Sequence, residues 1–466
     1  MLFNTARFFL FFVVVLGLHY ASPRPWRKWI LLTASYFFYM SWNPKFVPLL
    51  LTLTAIDYTA GLWIERCAEP GRKKLFLVLS LAANLGFLGF FKYYNFAAGM
   101  LAQLLGLPAK SLVLAIILPL GISFHTFQSM SYVVDVYRGE QKAIRDPADY
   151  ALFIAFFPQL VAGPIVRARE FFSGLYAWVA PTAEEWLRGV MLMLLGLAKK
   201  MVLADQFAAI SDSYFQNLGA HPGMTAAWSG TAAFALQIFF DFSGYTDMAI
   251  GMALLLGFHF PLNFRRPYLA FSITDFWHRW HISLSRWLRD YLYIPLGGNR
   301  YGGWKTYRNL MFTMLLGGLW HGASWNFVIW GGYHGALLSI ERVLGRKYFE
   351  QPPFALLYPL RALLTFALVC VGWVFFRAAT LSDSRYVIHQ MLTGPRPVGS
   401  MLIPAWLVCL VAVTLLAALC EEKFEWIDRL SRGPAWAYVT TAIALLLAVE
   451  MIGVTEKAVP FVYFQF

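Results

Sequence analysis

The sequence predicts an all-α polytopic membrane protein, and three observations carry that prediction. Hydrophobic residues make up 59% of the 466 and charged residues only 14%, for a mean hydropathy of +0.56. Apolar runs near the ~20 residues that a helix needs to cross a bilayer recur along the whole chain. None shows the alternation of a barrel strand, so helices are the spanning form left open to it. Residues 1–466 read as a single integral membrane domain with no soluble domain attached.

The net charge of +13 would suit a nucleic-acid binder, but the basic residues sit in short loops between apolar runs. That is the charge pattern of cytoplasmic loops, and membrane topology accounts for it. Cys67, Cys370, Cys409 and Cys420 have no paired spacing, which argues against a disulfide framework, an iron–sulfur site or a zinc knuckle.

In order along the chain, Phe8–Leu18 is short enough to resemble a signal peptide, but Pro23 directly after Tyr20-Ala21-Ser22 disfavours cleavage, and the run reads as the first membrane helix. A basic loop (Arg24, Arg27, Lys28) precedes a long apolar stretch broken at Trp42-Asn43-Pro44-Lys45, and a second basic loop holds Arg66, Arg72, Lys73 and Lys74. Two helices around one break bring both loops to the cytoplasmic face. A span from Leu75 to Phe91 should lead to Lys92-Tyr93-Tyr94 and a short interfacial segment, Phe96–Leu107. Ser111–Val136 should then cross back to a basic exit loop. Pro158, Gly163 and Pro164 within the apolar run 151–166 predict a re-entrant hairpin buried in protein.

A helix is expected over Trp186–Leu203, ending near Lys199-Lys200, and a long one over Ala226–Leu256. Asp241 and Asp247 on the latter read either as caps at a break near Gly244 or as parts of a polar pocket, since carboxylates within a membrane are rare and tend to be functional. The most cationic region, Asn263–Arg308, contains Arg265, Arg266, Arg279, Arg286, Arg289 and Arg300 among Trp277, Trp280 and Trp287. Ser272 or Thr274 can cap an amphipathic interfacial helix through Asp275–Tyr293. On that helix His278 and His281 would share a face, but they are weak metal ligands without a third partner, and no metal is expected. Three plain spans follow near Ala355–Phe376, Met401–Leu419 and Ala435–Met451, and the aromatic end PFVYFQF suits a membrane boundary.

Between these regions, Met311–Gly335 would be another span were it not for His321. The histidine lies among Gly317, Gly318 and Gly322 with Trp320 and Trp325 beside it. An imidazole between apolar segments is costly unless the site uses it, and a hydrogen-bonded packing role is the plainer alternative.

The segments GISFHTFQSMSYVVDVYRG, PQLVAGPIVR, DFSGYTDMAIG, ITDFWHRWHISLSRWLRDYLYIPLGGNR and TMLLGGLWHGASWNFVIWG resemble the membrane-bound O-acyltransferase (MBOAT) family over nearly the whole chain. The likeness is to its AlgI-like branch, the alginate, cellulose and peptidoglycan O-acetylation proteins, with the D-alanyl transferases more distant. It implies a ring of roughly ten to twelve transmembrane helices, each near the bilayer-crossing length, with re-entrant and interfacial helices around a central funnel. The family's invariant histidine falls on His321 and a second one, in the WHxS segment, on His281. His278 stands where arginine is expected and Gln159 where histidine is expected, so the resemblance constrains the reaction more than the substrate.

The implied chemistry is O-acyl transfer. A neutral imidazole, with an ordinary pKa of ~6.5, can take a proton from an acceptor hydroxyl attacking a thioester. His321 is the expected base and His281 an orienting or donor-binding partner. Arg279, Arg286 and Arg289 are expected to hold the phosphates of coenzyme A, although interfacial snorkelling explains any single arginine equally well. Acetyl-CoA is the expected co-substrate, with no cofactor bound. The acceptor is a polysaccharide or a periplasmic acetyltransferase partner, and the location is a bacterial inner membrane. A transporter or flippase is the rival reading, but single-copy motifs lack the duplicated halves common in transporters.

Overall fold

The structure, a computed structural model, describes residues 1–108, 110–161, 163–300, 302–395, 402–454 and 459–462. Helices are the only regular elements among the described residues, and the contacts divide the chain into two compact units. Five described helices are long and apolar enough to cross a membrane, or six if the bent pair Ala405–Glu421 and Trp426–Arg432 counts as one span. The protein is therefore a multi-pass membrane protein. Other apolar stretches among the described residues form shorter or broken helices.

The first unit comprises Met1–Thr182 and Met252–Pro261. It opens with α1 (Ala6–Ala21), α2 (Arg24–Met40) and α3 (Val47–Arg66), and the expected break at Asn43-Pro44 separates the last two. Next, α4 runs unbroken over Pro70–Leu104, where a break at Lys92 was expected. No proline follows Pro70 to remove a backbone donor, and a π-turn at Gly89–Tyr93 absorbs the polar residues. Asp57 on α3 accepts hydrogen bonds from Ser80 (2.6 Å) and Asn84 (2.8 Å) on α4, which settles a buried carboxylate between the two helices.

The span expected from Ser111 begins only at Ile122, as α5 (Ile122–Arg138). Gly121 before it has φ 72°, and a Cβ there would stand 2.4 Å from the Leu160 carbonyl oxygen. The proline-rich run is a broken pair, α6 (Pro147–Ala155) and α7 (Phe157–Leu160), followed by α8 (Ala168–Tyr176). The break falls at Phe156, two residues before Pro158, and nearly every side chain from Tyr150 to Val166 is buried. Lys28 pairs with Asp146 and with Asp149 (3.1 Å), and Glu65 pairs with Arg145. These contacts gather the three basic segments at one end of the unit, as alternating spans require.

The second unit comprises Ala183–Gly251 and Leu262–Phe466. In it α9 (Ala183–Ala198) does not stop at the lysines. A π-turn, Lys199–Ala204, carries the chain into α10 (Asp205–Gln216). That turn aims Lys200, 1% exposed, at Asp205 (2.7 Å) and Asp241 (2.8 Å), while Lys199 meets Asp247 at 2.5 Å. Asp241 and Asp247 lie on α11 (Met224–Leu255), which continues straight through Gly244. They are thus members of ion pairs between helices rather than caps. Gly244 serves close packing, since a Cβ on Gly196 of α9 would lie 2.4 Å from its carbonyl oxygen.

The remaining helices are α12 (Ile273–Arg279), α13 (Ile282–Leu288), α14 (Gly303–His321), α15 (Trp325–Glu350), α16 (Tyr358–Arg377), α17 (Leu381–Thr393), α18 (Ala405–Phe424), α19 (Trp426–Arg432) and α20 (Ala435–Ile452). Of the aromatic end, residues 463–466 lie outside the described residues. Phe461 and Val462 are buried against α11 instead of marking a membrane boundary. The Phe461 ring is 4.7 Å from Tyr245, and the Val462 N–H donates to Asp241 at 2.6 Å.

Removing one partner of a buried ion cluster strands the others, at a cost of about 3–5 kcal/mol. Lys200→Met should therefore lower the thermal unfolding temperature of the detergent-purified protein sharply. The triple change Lys200→Met, Asp205→Asn, Asp241→Asn should recover most of that loss. Equal unfolding temperatures for the single variant and wild type would contradict the triad's role.

Candidate active site

All residues of the site belong to the second unit. Ser272 caps α12, its Oγ accepting from the Asp275 N–H (3.0 Å), and Glu341 of α15 completes the cap. The Glu341 carboxylate accepts from the N–H of Ile273 (2.7 Å) and of Thr274 (2.9 Å) and from the Thr274 hydroxyl (2.8 Å). A negative group there satisfies orphan amide donors and meets the positive end of the helix. Tyr268 donates to the Ala235 carbonyl (2.6 Å) and Tyr358 to that of Leu269 (2.6 Å), strapping the approach to α12 onto α11 and α16.

The expected continuous helix from Asp275 to Tyr293 is instead broken at Trp280-His281. His281 adopts the left-handed conformation (φ 43°, ψ 55°), which is strained for a residue with a Cβ. Two backbone bonds across the break hold it: Arg265 N–H to the Arg279 carbonyl, and Ile282 N–H to that of Asn263, both 2.9 Å. The break undoes the shared face expected for His278 and His281. His278 is exposed, whereas His281 is fully buried. The side-chain oxygen of Asn263 lies 3.2 Å from His281 Nδ1, 3.1 Å from the Ser283 N–H and 2.9 Å from the Ser283 hydroxyl. Burial pulls the His281 imidazole down to a pKa of about 3, so the ring is neutral.

His321 is the last residue of α14, and Gly322 continues in extended conformation. Its imidazole is 4% exposed and boxed by Trp320 (4.9 Å between ring centres), Trp330 (5.1 Å) and Phe376 (5.1 Å). Trp320 also lies 6.1 Å from the His281 ring. One indole thus contacts both of the histidines that the sequence singled out. This setting is tighter than the floor of a polar funnel.

The glycines around His321 make that packing possible. A Cβ on Gly318 would fall 2.2 Å from the Phe327 carbonyl oxygen, one on Gly331 2.3 Å from that of Met314, and one on Gly322 2.0 Å from the Phe327 ring. Helices α14 and α15 therefore touch backbone to backbone, and only glycine permits it.

The three candidate arginines are placed differently. Arg279 is half-buried and held on its own helix by Asp275 (2.8 Å), Arg286 is exposed, and Arg289 is exposed and paired with Asp290 (2.6 Å). Gln159 belongs to the first unit, where it is buried and donates to the Phe153 carbonyl (2.5 Å). One residue escaped the sequence reading. His334 is fully buried on α15 beside Trp330 (5.0 Å) and Trp277 (5.3 Å), and neither ring nitrogen has a hydrogen-bond partner among the described residues. The spacing of Trp330 and His334, i to i+4 on one helix face, was the signal available for it.

Several apolar spans, with two histidines buried inside one unit, make this a membrane protein with a candidate imidazole site. Residues 144–381 match the model of MBOAT, the membrane-bound O-acyltransferase family. The chain belongs to that family and is an O-acyltransferase. It is 44% identical over 413 residues to a probable alginate O-acetylase, AlgI, of Azotobacter vinelandii, covering 88% of this chain and 81% of that one. A peptidoglycan O-acetyltransferase of Helicobacter pylori is 38% identical over 84% of this chain and 80% of its own. A teichoic acid D-alanyltransferase of Bacillus subtilis stands further off, at 30% over 55% of this chain and 68% of its own.

The glycine contacts are directly testable. Gly318→Ala should destabilise the purified protein by about 1–3 kcal/mol, the usual cost of overpacking, and lower acyl transfer with it. Gly332→Ala, whose Cβ would meet only Leu315 Cδ2 at 3.5 Å, should match wild type in the same unfolding measurement.

Proposed function

We propose that this chain takes an acetyl group from acetyl-CoA at the cytoplasmic face of a bacterial inner membrane and delivers it for O-acetylation of an exported polysaccharide, with His321 as general base. The observation that carries the reading is His321 itself, an imidazole at the C-terminal end of a helix inside an aromatic box, one indole away from His281. The alginate O-acetylase and peptidoglycan O-acetyltransferase relatives support the acetyl group and the carbohydrate acceptor.

The balance of the step is simple. His321 takes the proton of the acceptor hydroxyl as its oxygen attacks the thioester carbonyl carbon. The tetrahedral intermediate then collapses, the C–S bond breaks, and the thiolate leaves with the proton returned by the imidazolium. The products are the acetyl ester and free thiol. The imidazolium forms at the negative end of α14, where positive charge is favoured, and the surrounding rings exclude water that would hydrolyse the thioester. Exposed Arg286 and Arg289 suit the phosphates of the donor. The immediate acceptor is the polysaccharide or a periplasmic acetyltransferase partner.

His321→Ala should reduce acetyl transfer from radiolabelled acetyl-CoA by ~10²–10⁴-fold, the usual worth of a general base, with unchanged thermal unfolding. Wild-type transfer in that variant would remove His321 from the chemistry. In sealed vesicles of known orientation, acetyl-CoA should be consumed only when supplied to the cytoplasmic face. Consumption from the opposite face alone would reverse the proposed direction.

A further inference from the structure

Asn263 lies in the connection between α11 and α12, fully buried, and makes four hydrogen bonds to three consecutive residues. Its main-chain carbonyl accepts from Ile282 N–H, and its side-chain oxygen meets His281 Nδ1, Ser283 N–H and Ser283 Oγ. We infer that Asn263 is a positioning residue for acyl transfer, one that fixes the proton of His281 on Nδ1 and so makes Nε2 the basic nitrogen of that ring. The inference rests on the acyl-transfer reading above for its catalytic meaning, but the proton on Nδ1 stands on hydrogen-bond geometry alone.

The argument runs through the Ser283 backbone. A main-chain N–H can only donate, so the amide atom 3.1 Å from it is the oxygen and not the nitrogen of Asn263. That oxygen can only accept. Its third partner, His281 Nδ1 at 3.2 Å, therefore carries a hydrogen. The ring is neutral and has a single N–H, which leaves the lone pair on Nε2. The left-handed backbone at His281 then fixes where the ring projects from the break between α12 and α13. Phe242, packed edge-on at 4.7 Å, limits its rotation.

The consequence for the reaction follows from Trp320, which contacts both the His281 ring and the His321 ring. An Nε2 lone pair accepts a hydrogen bond from an acceptor hydroxyl or an ordered water. The opposite tautomer would instead donate to the oxygen of the same group and leave no acceptor for its proton. Asn263 thereby decides which hydrogen-bonding character His281 brings to the His321 site, without touching substrate itself.

The test uses the full-length protein in lipid nanodiscs, labelled with ¹⁵N-histidine, with the His281 signals assigned by their loss in His281→Gln. The expected spectrum shows the protonated nitrogen as Nδ1, and a proton on Nε2 would overturn the inference. Asn263→Asp keeps an acceptor oxygen and should preserve both the Nδ1–H signature and transfer to within about tenfold. Asn263→Ala should lose the signature and lower kcat by on the order of 10²-fold, the upper range for removing the partner that orients a functional histidine, with the KM for acetyl-CoA little changed. Ser283→Ala removes one bond to the same oxygen without touching the ring, and should leave signature and kcat intact. Wild-type kcat in folded Asn263→Ala, or equal losses in Asn263→Asp and Asn263→Ala, would refute the role. Should Asn263→Ala fail to fold, the wild-type spectrum together with the Asn263→Asp rate still decides. Should the wild-type protein transfer no acetyl group from acetyl-CoA, the reading of function fails while the spectrum still tests the tautomer.

Discussion

The cap that Glu341 places on α12 is the contact on which the candidate site hangs. A seven-residue helix has too few internal hydrogen bonds to stand alone, and its first amides would be costly to bury unpaired. By accepting three hydrogen bonds from Ile273 and Thr274, one carboxylate on α15 fixes where α12 starts. It thereby fixes where Trp277 and Trp280 face and where the chain must turn at His281. Because α15 also carries Trp330, the same helix orients the break that holds His281 and supplies a wall of the box around His321.

That wall is rigid for a second reason. Gly318 and Gly331 bring α14 and α15 into backbone contact, so the box around His321 cannot be adjusted by small shifts of either helix. The aromatic rings that line the box are seated on that frame.

Much of this was legible in the sequence, and the rest was hidden for identifiable reasons. Apolar run length located most spans, proline marked the break at Phe156, and a lone imidazole among glycines marked His321. The acidic pair on α11 stood out because carboxylates are rare in apolar runs, but local pattern left caps and a polar pocket equally open. Its partners did not stand out, because a π-turn has no composition signature and Lys199-Lys200 reads as an ordinary helix end. The break at His281 was invisible to periodicity, which continues smoothly from Asp275 to Tyr293. What breaks the helix is Asn263, eighteen residues earlier, and long-range acceptors do not appear in local patterns. His334 was overlooked because its neighbours are aromatic, and a histidine among tryptophans looks like packing.

The triad on Lys200 also bears on how the protein is made. During synthesis Lys200 and Asp205 leave the ribosome before Asp241, so α11 enters the translocon with a countercharge for its carboxylate already in place. A lone aspartate at the centre of an inserting helix costs about 2.5–3.5 kcal/mol on insertion scales, and an earlier lysine relieves it. The remaining bond, from Val462, comes 221 residues later. Biogenesis of this unit is thus ordered: charge neutralisation accompanies insertion, and the last contact to Asp241 seals an assembly whose helices are already in the bilayer.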